Sequence, residues 1–369
     1  MIDPRTILVI KLKHIGDVLL GTPAIHALKA AYPAARIHAL VSRGTEEMLA
    51  GNPDLAGVIP FARPRGRGLG RWRQEFRLLR GLRALRPDLV LAMGKGDREA
   101  ILGYLSGARW RVGFDAGRQG LFGRNRLLTH RAVRTGREHI VEGDLKLVEA
   151  LGIVPGDTRL RLHVAAEDAA TADRLLAEAG VGPGDRPVTV HPTSRWLFKC
   201  WRDEGVAAVM DHLADCGLRV VLASGPEPRE VRRARRILGL ARHPAADLIG
   251  RLTLKQLAAV IGRSRLFLGV DSAPMHIAAA MGTPVVALFG PSGEHNWGPW
   301  GAGHLVVAVD LFCRPCGQDG CNGSKRSDCL EMLTEAEVIA AVDTQLARHG
   351  LAPEPAGVGM RTRAGGVAP

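Results

Sequence analysis

A four-residue apolar run followed by a helical repeat opens the chain, and the same pattern starts afresh near its middle. That doubling constrains the fold more than any other feature. Ile7-Leu8-Val9-Ile10 is rich in β-branched residues and too short for a helix. It predicts a strand covered on both faces, as in a parallel sheet. Apolar residues then recur at helical spacing through Val18-Leu19-Leu20 and residues 24–31, and Pro33 stops the helix. Residues 36–41 are the next predicted strand. They complete a βαβ unit of about 35 residues, the building block of a doubly wound sheet. Further strands are predicted over 57–61 and 88–93, with the clearest helix between them over 76–85.

The second series begins with a strand over 187–191, a helix over 203–215 and a strand over 218–223. A helix over 229–238, a strand over 266–270, a helix over 274–281 and a strand over 284–289 follow. Between the series, residues 166–179 predict a helix ended by Gly180, followed by the turn-rich stretch 182–187, and the hinge is expected near 180–187. The fold class is therefore α/β, with domains over 1–165 and 187–349 joined by a connecting helix and hinge at 166–186. A length of 369 residues fits this, since it exceeds what a single core usually holds. Residues 350–369 are Gly-, Pro- and Ala-rich without an apolar period and are expected to be a disordered tail. Ligands of open α/β sheets sit at the carboxyl ends of strands, so the post-strand loops of both domains should face one cleft.

The net charge is +13, and only eight of the 50 basic residues are lysine. Such a surplus fits nucleic acid, an anionic membrane surface or a phosphorylated substrate, with an Arg-rich composition as the plain alternative. Aromatics are 4% of residues and none are interleaved with basic ones as in single-strand binders, so nucleic acid is not an expected partner. No apolar run approaches the ~18 residues of a membrane span. The N-terminus carries no secretory pattern either, so a cytoplasmic location is expected.

Four post-strand loops hold residues able to do chemistry. In His14-Ile15-Gly16-Asp17, Gly16 allows a tight turn and Asp17 sits at a helix start. Asp17 reads either as an N-cap or as a cleft-facing general base. This is not a G-x-G-x-x-G fingerprint, which argues against a nicotinamide or flavin enzyme. In the loop over residues 191–201, Thr193, Ser194, Arg195 and Lys199 make an anion site, while Trp201 reads as a core anchor. In the loop over residues 269–282, Asp271 ends a strand, Ser272 is placed to cap, and Ala273 with Pro274 opens a helix. Its N-terminus suits a phosphate, and Asp271 suits sugar hydroxyls; a capped helix without a ligand is the alternative. In the fourth loop, residues 224–230, Glu230 opens a helix, so it compensates the helix dipole or contacts a sugar.

Together these loops resemble glycosyltransferase family 9, the heptosyltransferases of lipopolysaccharide core synthesis, and most closely the heptosyltransferase III branch. The resembling segments are ILVIKLKHIGDVLLGTPAIHALKAAYP, HPTSRWLFKCW, GVDSAPMHIAAAMGTPVVALFGPSGEHNWGPW and CRPCGQDGCNGSKRSDCLEML. The resemblance implies the GT-B fold, two Rossmann-like domains facing across a central cleft. It implies transfer of heptose from ADP-heptose with inversion and without a catalytic metal or other cofactor. By the same resemblance Asp17 is the base and Lys199 contacts the donor phosphates, with Thr193 and Ser194 as hydroxyl donors. The D-x-x-x-x-H motif maps to Asp271 and His276, ahead of a phosphate-facing helix start at Ser272 and Ala273. The acidic donor-binding residue maps to Glu230, with Glu227 the nearby alternative. The implied acceptor is an anionic, lipid-linked core oligosaccharide, reached by peripheral contact with the inner face of the inner membrane. A family member using another nucleotide sugar, or a binding protein that has lost catalysis, are the competing readings. A carboxylate at position 17 argues against the latter.

Two further segments stand out. Cys313, Cys316, Cys321 and Cys329 crowd into one stretch, but their spacing does not match the usual zinc ribbon. Buried free thiols are the expectation and no metal is assigned. Residues 63–73 hold five arginines, including Arg63, Arg65, Arg67 and Arg71. They read as a solvated loop or as an acceptor-binding flap suited to phosphates and an anionic surface.

Overall fold

The computed structural model describes residues 2–62, 69–94, 96–117 and 123–351. The first series of elements is β1 (Thr6–Lys11), α1 (Ile15–Leu20), α2 (Thr22–Ala31), β2 (Arg36–Ser42), β3 (Gly57–Phe61), α3 (Leu69–Ala84), β4 (Leu89–Ala92), α4 (Asp97–Leu105), β5 (Trp110–Phe114), β6 (His130–Ala132) and α5 (Ile140–Glu149). After α6 (Ala166–Glu178) the second series is β7 (Val188–His191), α7 (Asp203–Asp215), β8 (Val220–Ser224), α8 (Pro228–Leu240), β9 (Ala246–Ile249), α9 (Leu254–Arg263), β10 (Leu266–Val270), α10 (Ala273–Ala280), β11 (Val285–Leu288), α11 (Glu294–Trp297), β12 (Leu305–Val307), α12 (Asp328–Glu331) and α13 (Glu335–Arg348).

Each series builds a parallel six-stranded sheet, in the orders β3-β2-β1-β4-β5-β6 and β12-β11-β10-β7-β8-β9. The central strands are apolar on both faces because helices cover both. Ile7, Leu8 and Ile10 are fully buried in β1, as are Leu266 and Phe267 in β10. In both sheets the strand order reverses beside the first strand, so the loops after β1 and β4, and after β7 and β10, open a crevice. These are the two Rossmann-like domains of the GT-B architecture.

Three expectations change. The helix expected over 76–85 begins at Leu69, so Arg71 and Trp72 are helical and not part of a loop. Arg63, Arg65 and Arg67 lie outside the described residues. Helix α6 is not a free connector: Ala172, Leu175 and Leu176 pack with Leu248, Ala259 and Val260 against the second sheet. The chain crosses between domains just before it, and there Arg161 N–H donates to Thr22 Oγ1 at 3.0 Å. Of the expected tail, Gly350 and Leu351 are described, and Leu351 closes back on Leu346. Residues 352–369 lie outside the description.

Apolar packing continues from the first core into α9 and α10 of the second domain, so the two domains share a wall below the crevice. Lys255, buried on α9, donates from Nζ to the Ala50 carbonyl at 3.0 Å, and also to the His163 carbonyl. It ties the second domain to the first and to the linker.

Candidate active site

Between the domains lies a cleft of about 2300 Å³. Asp17, Thr193, Ser194, Lys199, Glu230, Asp271, Ser272, Ala273 and His276 all line it, and so does Glu227.

The floor is set by Gly16. It lies within α1, and its φ is not positive, so a tight turn is not what it supplies. A Cβ at Gly16 would sit 2.8 Å from His276 Cδ2 and 3.7 Å from Ala273 Cα. The missing side chain therefore lets α1 of one domain touch the start of α10 of the other. Asp17 follows, half-buried on the cleft side. It is not the cap residue: His14 is, and its backbone N–H donates to Asp17 Oδ2 at 3.3 Å. One carboxylate oxygen thus braces the turn that aims it.

Lys199 and Asp271, expected as separate donor contacts, form an ion pair at 2.6 Å. Lys199 comes from the loop after β7 and Asp271 from the end of β10, the two strands beside the crevice. The Asp271 side chain is 7% exposed and that of Lys199 21%, so the ammonium is the end that meets solvent. Ser272 does not cap α10. Its hydroxyl donates to the Val270 carbonyl at 3.3 Å, which leaves the first-turn N–H groups of α10 without a side-chain partner.

Thr193 Oγ1 donates to Glu230 Oε2 at 2.8 Å, both buried, so these two act as one unit at the start of α8. Glu227 is the exposed residue before that helix. The Ser194 hydroxyl accepts from Trp196 N–H at 3.2 Å and shapes the loop. Trp201 is fully buried and donates from Nε1 to the Leu333 carbonyl at 3.1 Å, the core anchor expected. His191 and His276 are buried cleft residues whose pKa values burial pushes down to about 4, so both rings are neutral near pH 7.

Arg195, expected in the anion site, also lines the cleft, whereas Glu99 and Arg77 are cleft residues that no sequence motif singles out. Arg195 donates to His14 Nδ1 at 3.2 Å and lies 4.8 Å from the Trp196 ring centre, bridging the two domains over the cleft. Glu99, buried in the first turn of α4, has its carboxyl pushed up by burial, with the Lys13, Arg124 and Arg98 charges opposing. The strand–loop–helix pattern after β4 is the signal that marks it. On α3 it is Arg77, not Arg71, that lines the cleft.

The clustered cysteines differ from expectation. Cys329 is buried and Cys321 half-buried, but Cys313 and Cys316 are exposed, so buried thiols describe only part of the set. Among the described residues no group of three or more His, Cys, Asp or Glu side chains is placed to hold a metal ion.

Comparison with known proteins places this geometry. The model of glycosyltransferase family 9 (heptosyltransferase) matches residues 75–326. The chain is 33% identical to lipopolysaccharide heptosyltransferase 3 of Escherichia coli over 334 residues, covering 90% of this chain and 96% of that one. It is 25% identical to lipopolysaccharide core heptosyltransferase OpsX of Haemophilus influenzae over 83% of this chain and 85% of that one. The fold matches a family 9 glycosyltransferase from Veillonella parvula with a TM-score of 0.79 at 23% identity, covering 94% of this chain and 98% of that one. It also matches an E. coli heptosyltransferase solved with ADP-2-deoxy-2-fluoro heptose, with a TM-score of 0.70 at 21% identity, covering 92% of this chain and 99% of that one. Matched from within α3 into the cysteine-rich segment, and along nine-tenths of its length by a relative one-third identical, the chain belongs to glycosyltransferase family 9, the heptosyltransferases.

Proposed function

We propose that this glycosyltransferase moves heptose from ADP-heptose to the inner core oligosaccharide of lipopolysaccharide, with inversion and without a metal ion. The observation that carries the reading is the placement of Asp17 and Lys199 on one cleft from opposite domains. Asp17 takes the proton of an acceptor hydroxyl as its oxygen bonds the anomeric carbon. The bond from that carbon to the ADP oxygen breaks, and ADP leaves with the electron pair. Lys199 and the uncapped start of α10 stabilise the charge that gathers there, the task a metal performs elsewhere. The Thr193–Glu230 pair and Asp271 are the donor's polar contacts, with His276 buried against the start of α1. Arg63, Arg65, Arg67 and Arg71 are read as acceptor-binding. The acceptor is anionic and lipid-linked, so the enzyme works in the cytoplasm at the inner face of the inner membrane. No described helix is long and apolar enough to cross a membrane.

The test has two parts. ADP-heptose should raise the thermal midpoint more than UDP- or GDP-sugars, because ligand bound to the native state shifts unfolding by mass action. Core oligosaccharide from a deletion strain should lose one heptose by mass spectrometry. A larger shift with a UDP-sugar, or an unchanged core, overturns the reading.

A further inference from the structure

We propose that the outer face of α3 docks the enzyme on an anionic lipid bilayer, with Trp72 and Phe76 entering the interface and arginines meeting the headgroups. The inference rests on the reading of a lipid-linked acceptor and adds the surface that brings the enzyme to it.

Two faces of α3 carry the argument. Glu75, Leu78, Leu82 and Leu85 recur at helical spacing on the inner side. Leu82 is 1% exposed, and Leu78, Leu79 and Leu85 pack beside it on the first domain. The stripe Trp72, Phe76, Arg80, Arg83, spaced by four, four and three, lies on the outer side. Trp72 is 73% exposed and Phe76 68% exposed. An aromatic pair at this spacing normally marks a core, yet here both rings meet solvent while Leu82 is buried and Leu78 and Leu85 pack beside it.

Charge chooses the occupant. The helix carries five arginines and one acidic residue. That acid, Glu75, turns inward to accept two bonds from Arg98 at 2.7 and 2.8 Å. The outer face is therefore aromatic and positive with no compensating carboxylate of its own helix. Aromatic rings flanked by arginine are what an interfacial helix presents to anionic lipid, where the rings sit at headgroup depth. Position agrees, because Gln74 and Arg77, together with Leu78, Leu82 and Leu85 of the inner side, line the cleft, while Trp72 and Phe76 do not. A bilayer seated on the outer side would hold the lipid-linked acceptor one helix width from the transfer site.

Full-length protein is sedimented with vesicles of equimolar phosphatidylglycerol and phosphatidylcholine, and with vesicles of phosphatidylcholine alone. Wild type should bind the anionic vesicles and release as salt rises, since exposed charges are screened over about 8–10 Å. Trp72→Ala with Phe76→Ala should lower partitioning about tenfold or more, whereas Trp72→Phe keeps it within about twofold. Arg80→Gln with Arg83→Gln should flatten the salt dependence. Transfer to a delipidated, soluble acceptor should be unchanged in the aromatic double variant, and transfer to a vesicle-borne acceptor should fall. Equal binding to both vesicle types, or double-variant partitioning like wild type, overturns the proposal. So does a self-association that the double variant abolishes without any change in vesicle binding, which would make a second copy the occupant. Vesicle binding as stated with no heptose transfer at all would sink the functional reading and leave the docking surface standing.

Discussion

His276 of the second domain lies so close to Gly16 of the first that a Cβ there would come within 2.8 Å of its ring. The histidine is buried, so the contact sets how near Asp17, the proposed base one residue on, stands to the second domain. Gly16→Ala should force the domains apart. Overpacking of this kind costs about 1–3 kcal/mol, and a shift near 1 Å in a reacting pair costs about 10²-fold in rate. Thermal unfolding and kcat, measured together, check it; a variant with wild-type kcat removes the importance assigned to this contact.

Asp17→Asn keeps an oxygen for the His14 N–H and so should leave the start of α1 intact. Turnover should drop about 10²–10⁴-fold through loss of the base. ADP affinity by calorimetry and the thermal midpoint should stay near wild type. Near-normal turnover would exclude Asp17 as the base.

Lys199 and Asp271 should not behave as equivalent partners. Lys199→Ala removes the charge proposed to meet the donor phosphates and should weaken ADP binding and turnover together, by about tenfold or more in affinity. It also strands a nearly buried carboxylate. Asp271→Asn leaves the ammonium in place but removes its opposite charge, so ADP affinity should fall less while kcat still drops. Comparing KM for donor with kcat in both variants separates the two roles.

Arginines on α3 give a further contrast. Arg77 lines the cleft and Arg71 does not, although both are exposed. Arg77→Gln should raise acceptor KM more than Arg71→Gln, and neither should move donor KM. Joint replacement of Arg65, Arg67 and Arg71 by Gln should make acceptor KM less sensitive to ionic strength. An acceptor KM unchanged in all of these variants would return the segment to a solvated surface.

His191 and His276 predict a stability change with pH. Both are held at about 4 in the fold, below the ~6.5 of an unfolded histidine. As pH falls the unfolded chain binds the protons first, so their contribution is complete above pH ~6.5 and is lost between ~6.5 and ~4. The loss would reach roughly 3 kcal/mol for each at the bottom of that window. Urea midpoints at several pH values in wild type and in His191→Gln read it out. The variant should show the shallower slope.

Sequence alone determined the α/β class, the two-fold repetition and which loops face the cleft. Strand β3, helix α7 and strand β10 have the bounds their apolar patterns predict, because strand and helix periods, Pro33 and the turn at 182–187 are local signals. Helices α9 and α13 were as legible in principle, since each opens with a threonine capping box, Thr253 with Gln256 and Thr334 with Glu337. The short edge strands β6 and β12, three residues each, take their identity from a neighbouring strand and not from their own pattern.

Only the tertiary structure decided which charged groups meet. Lys199 and Asp271 are 72 residues apart and His14 and Arg195 are 181 apart, and no spacing in the chain joins them. The same holds for Gly16, which reads locally as a turn and serves as a gap for His276. It holds also for α3, where the pattern marks an amphipathic helix but not which side of it meets the cleft. The physical reason is range. Backbone sterics and apolar periodicity act within a few residues, whereas an ion pair or a close helix crossing depends on distances fixed only after both sheets have closed and packed.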